Sequence, residues 1–182
     1  MLLIQFKFPN FKWINLEKEK LQGIIIREAT PKDLLNIVKL AKELIKSESD
    51  IDPMVNPLSK FQDSEWILKN IKGDKTVVFV AEYNGEIIGY TLGWVSQPWD
   101  YKSSRGYICD CFVKEEYRRK GIGAALCKAI LNWFIKRNIT CIEADVYSNN
   151  TASLEMFKSL GFKEIAKKLR LIIKDESKFN PS

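Results

Sequence analysis

No histidine occurs among the 182 residues. Any triad or proton relay that needs imidazole is therefore excluded, as is a zinc site completed by histidine. Cysteine is scarce and badly spaced for metal. Cys109, Cys111, Cys127 and Cys141 form no paired C-x-x-C set, so they read as reduced thiols, mostly buried, and no metal is expected. No apolar run approaches the roughly 18 residues needed to span a bilayer. Met1 to Phe8 is apolar but contains Lys7 and runs into Pro9 without a small-residue cleavage site, so it is not read as a signal peptide. The expectation is a cytoplasmic protein with no membrane partner. No internal repeat and no low-complexity linker interrupts the chain.

What is present suits one folded domain. Hydrophobic residues make up 46% and aromatics 12%, enough for a core. The net charge is +6. That excess fits a nucleic-acid partner, a site for a polyanionic cofactor, or a lysine-rich solvated surface. Aromatics interleaved with lysines on an RNA-binding strand motif are missing, so no nucleic acid is expected.

The patterning predicts a β-α-α-β-β-β-α-β-α-β order. Gly23 to Arg27 reads as a strand. Thr30-Pro31-Lys32-Asp33 carries a Thr N-cap, Pro at N1 and an acid at N3. Apolar residues then recur at helical spacing to Ser47, before a polar loop with Pro53 and Pro57. A second helix is predicted from Asp63 to Ile71, ending at Gly73. Thr76–Tyr83 and Glu86–Ser96 form a hairpin about Asn84-Gly85. Arg105–Val113 is a further strand, Gly121–Arg137 a helix, Thr140–Tyr147 a strand and Asn150–Leu160 a helix. A last strand is predicted from Lys163 to about Lys174. A hairpin followed by β-α-β units implies an α/β (α+β) fold: a mixed sheet with helices on both faces.

The segment joining strand 105–113 to its helix is the most informative. Gly121 and Gly123 remove two β-carbons where the backbone must come close to something. Free N–H groups at a helix N-terminus make an anion site, and Arg118, Arg119 and Lys120 add positive charge. These residues point to a phosphate or pyrophosphate ligand, although many loops need glycine for other reasons.

Arg118-x-x-Gly121-x-Gly123 resembles the R/Q-x-x-G-x-G/A motif of the GNAT N-acetyltransferase superfamily. Asp110-Cys111-Phe112-Val113 resembles the strand before it. Asn150-x-x-Ser153, Phe157 and Gly161-Phe162 resemble the family's N-x-x-A…Y-x-x-x-G-F helix, with Ser for Ala and Phe for Tyr. The likeness covers residues 24 to 174 and is nearest the diamine acetyltransferase-like branch. It leaves residues 1–23 as an N-terminal extension and 175–182 as a tail.

The resemblance implies a GNAT fold of six to seven strands and about four helices, with two parallel strands splayed around acetyl-CoA. Pantetheine would pair with Cys111, Phe112 and Val113. Backbone N–H groups of Arg119, Lys120, Gly121, Ile122, Gly123 and Ala124 would hold the pyrophosphate, beside the charge of Arg118. Asn150 would bond the cofactor arm as well as cap its helix, and Phe157 would pack against the cofactor or the core. The acetyl group would pass by direct attack to a primary amine of a polyamine, small molecule or protein. A CoA-binding regulatory module with little activity is the alternative, and a homodimer is expected.

The departures concern catalysis. Phe157 stands where the motif carries a tyrosine acid, and a phenyl ring donates no proton. Asp110 reads either as the base or as a structural carboxylate, and Cys109 as a small buried hydrophobe, a base or a transient acyl carrier. Tyr147 reads as an alternative proton donor or as packing. Glu143 and Asp145 lie on one strand face, which suits solvent or an amine. Glu48, Asp50, Asp52, Asp63 and Glu65 either steer a cationic acceptor or form a solvated loop. Trp94, Trp99 and Tyr101 either wall the acceptor site or serve as exposed packing or a dimer contact. Phe6, Phe8, Phe11 and Trp13 either cover an apolar patch or join a dimer interface.

Overall fold

A computed structural model describes residues 21, 23–58, 63–99 and 102–172. The expectations for Phe6, Phe8, Phe11, Trp13 and Tyr101 lie outside the described residues, as does the end of the last predicted strand. The elements are β1 (Ile24–Glu28), a 3-10 turn (Pro31–Asp33), α1 (Leu34–Ile51), α2 (Ser64–Lys72), β2 (Thr76–Tyr83) and β3 (Glu86–Ser96). They continue with β4 (Arg105–Val113), a second 3-10 turn (Glu115–Tyr117), α3 (Ile122–Ile135), β5 (Ile142–Ala144) and α4 (Thr151–Ser159). The sheet order follows the sequence, β1-β2-β3-β4-β5. The first three pairings are antiparallel and β4–β5 is parallel.

Local chemistry explains the junctions. The Asp33 carboxylate accepts from the Thr30 backbone N–H at 2.7 Å and from its hydroxyl at 3.0 Å. The Arg27 guanidinium grips both Asp33 oxygens at 2.8 Å, tying β1 to the entry of α1. Asn84 and Gly85 both adopt positive φ, 49° and 80°, which the two-residue hairpin between β2 and β3 requires. Asp63 caps α2 by accepting from the Trp66 N–H at 2.8 Å.

Helices cover both faces of the sheet. On one face α1 and α2 bury Ile37, Leu40, Ala41 and Ile67 against Val78, Val80, Tyr90, Leu92 and Phe112. On the other, α3 and α4 bury Ile130, Phe134 and Phe157 against Val77 and Ile108. Among the described residues no helix is long and apolar enough to cross a membrane.

The mixed sheet flanked by four helices matches the expectation, with three differences of extent. First, α1 does not stop at Ser47. It runs one turn further, to Ile51, because nothing before Pro53 breaks it. Second, β5 is only three residues long, where Thr140–Tyr147 was expected, because the chain turns away from β4 after Ala144. Third, residues 163–172 form no strand, so the sheet of the described residues has five strands rather than six or seven. A three-residue β5 offers too little edge to pair with. The segment instead lies exposed, with Ile165, Leu169 and Leu171 at 79%, 90% and 71% exposure, and is fastened to the end of α1 where Arg170 grips both oxygens of Asp52 at 2.6 and 2.7 Å.

Candidate active site

The site begins with a fork in the sheet. β4 and β5 pair at Gly106–Ile142, Tyr107–Glu143 and Ile108–Ala144, and no further. β4 continues to Val113, so the β5-facing edge of residues 109–113 is released from the parallel ladder. Released backbone N–H and C=O groups need partners, and an edge of this kind can take an extended ligand.

A bulge in β4 lies at the mouth of the fork. Leu92 opposes Asp110 while Gly93 opposes Ile108, which leaves Cys109 as the extra residue. A bulge interrupts the ladder and re-aims the side chains beyond it. The buried Thr91 hydroxyl donates to the Asp110 carbonyl at 2.8 Å. The Asp110 side chain meets Tyr90, whose phenol donates to Oδ2 at 2.8 Å. Burial raises the Asp110 pKa, and the hydrogen bonds from Cys109 and Tyr90 oppose that rise. Partial desolvation by the surrounding protein and the neighbouring Asp110 charge push the Cys109 thiol up, so it is neither base nor nucleophile at neutral pH. Cys109 is also exposed rather than buried, and Asp110 is half-buried. Both lie where β4 parts from β5, at the mouth of the fork.

Beyond β4 the chain shapes an anion cradle. Arg119 and Gly121 adopt left-handed φ of 62° and 82°. A left-handed arginine is strained, and such strain persists where the surroundings hold it. Gly121 needs its φ, whereas Gly123 is needed for space: a β-carbon there would lie 3.2 Å from the Met156 sulfur. The first bond at the head of α3 runs from the Ala125 N–H to the Gly121 carbonyl at 3.0 Å. The N–H groups of Ile122, Gly123 and Ala124 therefore point out of the helix end without intrahelical acceptors. Arg119 and Lys120 are exposed beside them. Arg118 folds back: its Nε donates to the Val113 carbonyl at 2.9 Å and its guanidinium covers Phe112. It thus braces the end of β4 and occupies one expected pantetheine partner.

The other sequence-predicted residues fall on either side of the fork. Asn150 caps α4, accepting from the Ser153 N–H at 3.1 Å. Phe157 is 8% exposed in the core beneath α3, with its ring 5.0 Å from that of Phe162. It is packing. Tyr147 lies on the acid side, its phenol pKa raised by burial and by Glu48 and Asp52. Glu143 accepts from Arg105 at 2.6 Å and Asp145 from Tyr107 at 2.8 Å, so both are engaged within the protein. Asp63 is engaged as a helix cap. Trp94 packs on Tyr107 at 5.2 Å, while Trp99 is 98% exposed.

Sequence reasoning missed Tyr90 and Thr91, which carry no motif, and it left Glu48 in a loop. The extended α1 places Glu48 four residues beyond Leu44 and three beyond Ile45, on the helix's buried stripe. A signal was available, since the helical spacing continues to 48 and the first proline is at 53.

A cavity of about 350 Å³ opens between α1 and the end of β4, lined by Glu43, Lys46, Asp50, Glu115, Glu116 and Arg118 among others. Its carboxylates outnumber its cations, so it is a poor seat for phosphate, and the helix end remains the better one. Among the described residues no group of three His, Cys, Asp or Glu side chains is placed to hold a metal ion.

A sheet forked between parallel strands, with a helix N-terminus at the fork, is the architecture of a protein that binds an extended anionic cofactor in its sheet. The chain belongs to the acetyltransferase (GNAT) family, whose model matches residues 41–162. It is 28% identical over 109 residues to an N-alpha-acetyltransferase of Sulfurisphaera tokodaii, covering 55% of this chain and 64% of that protein. It is 28% identical over 153 residues to the thialysine N-epsilon-acetyltransferase of Bos taurus, covering 78% and 85%. The fold matches the tetramutant BH1408 protein of Bacillus halodurans with a TM-score of 0.72 and 23% identity, over 82% of this chain and 99% of that one.

Proposed function

We propose that the chain is an acetyl-CoA-dependent N-acetyltransferase whose acceptor is a primary amine, with the catalytic domain at residues 24–174. The fork carries this reading. It offers the unpaired β4 edge at Cys111 and Phe112 to pantetheine, and the N–H groups from Arg119 to Ala124, at the head of α3, to the pyrophosphate. Asn150 stands at the start of α4 to meet the cofactor arm. When bound, acetyl-CoA supplies the activated acyl group. The protein supplies proximity and a carboxylate-rich floor that draws a cationic amine. Asp110 anchors that floor, and Tyr147 faces it as the proton donor to the departing thiolate, in place of Phe157. Relatives named for an N-alpha and an N-epsilon acetyl transfer support an amine acceptor and leave its identity open.

Phe157 and the inert Cys109 favour one second reading, a CoA-binding regulatory module that has lost chemistry. Thiol release from acetyl-CoA, measured with spermidine, free lysine and a short peptide with a free N-terminus, separates the two. Release with any of them supports the enzyme; acetyl-CoA binding without release supports the module. We also read the chain as a cytoplasmic homodimer. The free cysteines and the exposed apolar side chains of residues 163–172 support that reading.

A further inference from the structure

Two neighbouring carboxylates, one on α1 and one on β4, stand in unlike circumstances. Asp110 is pinned, with Tyr90 donating to Oδ2 and the Cys109 thiol also bonded to its side chain. Glu48 is half-buried on the stripe that α1 presents to the sheet, yet among the described residues no hydrogen bond or ion pair holds its carboxylate. An acid continuing the line of Ile37, Ala41, Leu44 and Ile45 costs stability, since a buried charge without a partner is unfavourable. A cation arriving at the fork removes that cost.

Resting on the acetyltransferase reading, we propose that Glu48 is the catalytic base, taking the proton of the acceptor ammonium while Asp110 acts as the fixed charge beneath it. The ammonium R-NH3+ gives one proton to the Glu48 carboxylate. The neutral amine forms a C–N bond to the thioester carbonyl carbon, and the C–S bond then breaks. The nitrogen sheds a second proton, the thiolate takes one up, and one proton is released overall with the amide and free CoA.

The surroundings of Glu48 favour this division of labour. Its electrostatic neighbours are Asp110 and Cys109 on β4, Tyr90 on β3 and Tyr147 in the chain after β5. Asp52 lies one turn further along α1, where Arg170 neutralises it. Burial and the Asp110 charge both raise the Glu48 pKa, making it a stronger base than an exposed glutamate. Asp110 already accepts from Tyr90 and Cys109, whereas the Glu48 carboxylate accepts from no group among the described residues.

The test uses the full chain with saturating acetyl-CoA. Glu48→Gln should lower kcat by about 10²- to 10⁴-fold with acetyl-CoA affinity unchanged, and Glu48→Asp should restore part of the rate. In the wild type kcat/KM should fall as pH drops and Glu48 takes up its proton, and Asp110→Asn should move that limb to lower pH. Independently of turnover, carbon-13 NMR should show the Glu48 carboxyl titrating above an ordinary glutamate, and nearer to ordinary in Asp110→Asn. Wild-type turnover and an unmoved acid limb in Glu48→Gln, or an ordinary Glu48 titration, overturn the proposal. If the wild type binds acetyl-CoA but releases thiol with none of the amines, the acetyltransferase reading fails and the proton step with it. That result is distinct from an active enzyme indifferent to Glu48.

Discussion

Placing a hydroxyl on Phe157 tests whether that ring belongs to the chemistry or to the core. The ring is 8% exposed and meets Phe162 edge-on at 5.0 Å. Its cluster includes Ile108, Cys127, Ile130 and Met156, all apolar. Phe157→Tyr therefore puts an O–H into an apolar cluster, at a cost of about 1–3 kcal/mol for an unpaired hydroxyl. For a chain of this size each kcal/mol moves the melting temperature by about 2–4 °C, so the variant should melt roughly 2–12 °C lower. Acetyl transfer should not speed up, because the ring packs in the core cluster against Phe162. The assay is a calorimetric melt paired with thiol release at a temperature where both proteins are folded. An unchanged melt with faster transfer would refute the reasoning, since it would show the ring edge facing the cofactor sulfur across an open, hydrated gap.

Gly121→Glu should abolish acetyl-CoA binding by calorimetry while circular dichroism stays native, because a carboxylate would then stand at the anion cradle; retained affinity in a folded variant removes the cradle from that loop. Tyr147→Phe should slow thiol release without weakening acetyl-CoA binding, and an unchanged rate would leave solvent as the proton source. Alkylation of Cys109, followed by mass spectrometry, should be slower in the native chain than in urea despite its exposure, because partial desolvation and the Asp110 charge raise its pKa; equal rates would contradict that environment. The Arg27 guanidinium holds the Asp33 carboxyl at about 2, below its ordinary 3.8. The folded value is the lower one, so the stabilisation is fully present above pH 3.8 and is lost as pH falls towards 2. It is worth on the order of 1 kcal/mol after solvent screening, and urea melts of Asp33→Asn and wild type should converge over that interval.

Elements with strong local chemistry were legible in the sequence. Asn84-Gly85 announced its hairpin because few residues accept positive φ, and Thr30 to Asp33 announced the entry to α1. The cradle was legible because two glycines and three cations stand at a strand-to-helix junction. Features set by tertiary context were not. The bulge at Cys109 follows from pairing with β3 and leaves no local mark. Without it Asp110 reads as any strand carboxylate. Glu48 was hidden by a helix end placed one turn too early, and the strand expected from Lys163 had too short an edge in β5 to receive it. The engagement of Glu143 by Arg105 and of Asp145 by Tyr107 depends on neighbours 38 positions away in each case, a separation that no local pattern reports.

The extra residue in β4 works as a phase change. Strand side chains alternate with a period of two, so one inserted residue lets the two halves of β4 keep separate alternations. Residues 105–108 stay in step with α3, and Asp110 and Phe112 stay in step with α1. Selection can then vary the floor of the site without moving the core beneath the other face. Removing Cys109 would join the two alternations into one and force a choice between a packed α3 and an acid aimed at the fork. Length at this point, more than the identity of the residue there, is what the fold has to conserve.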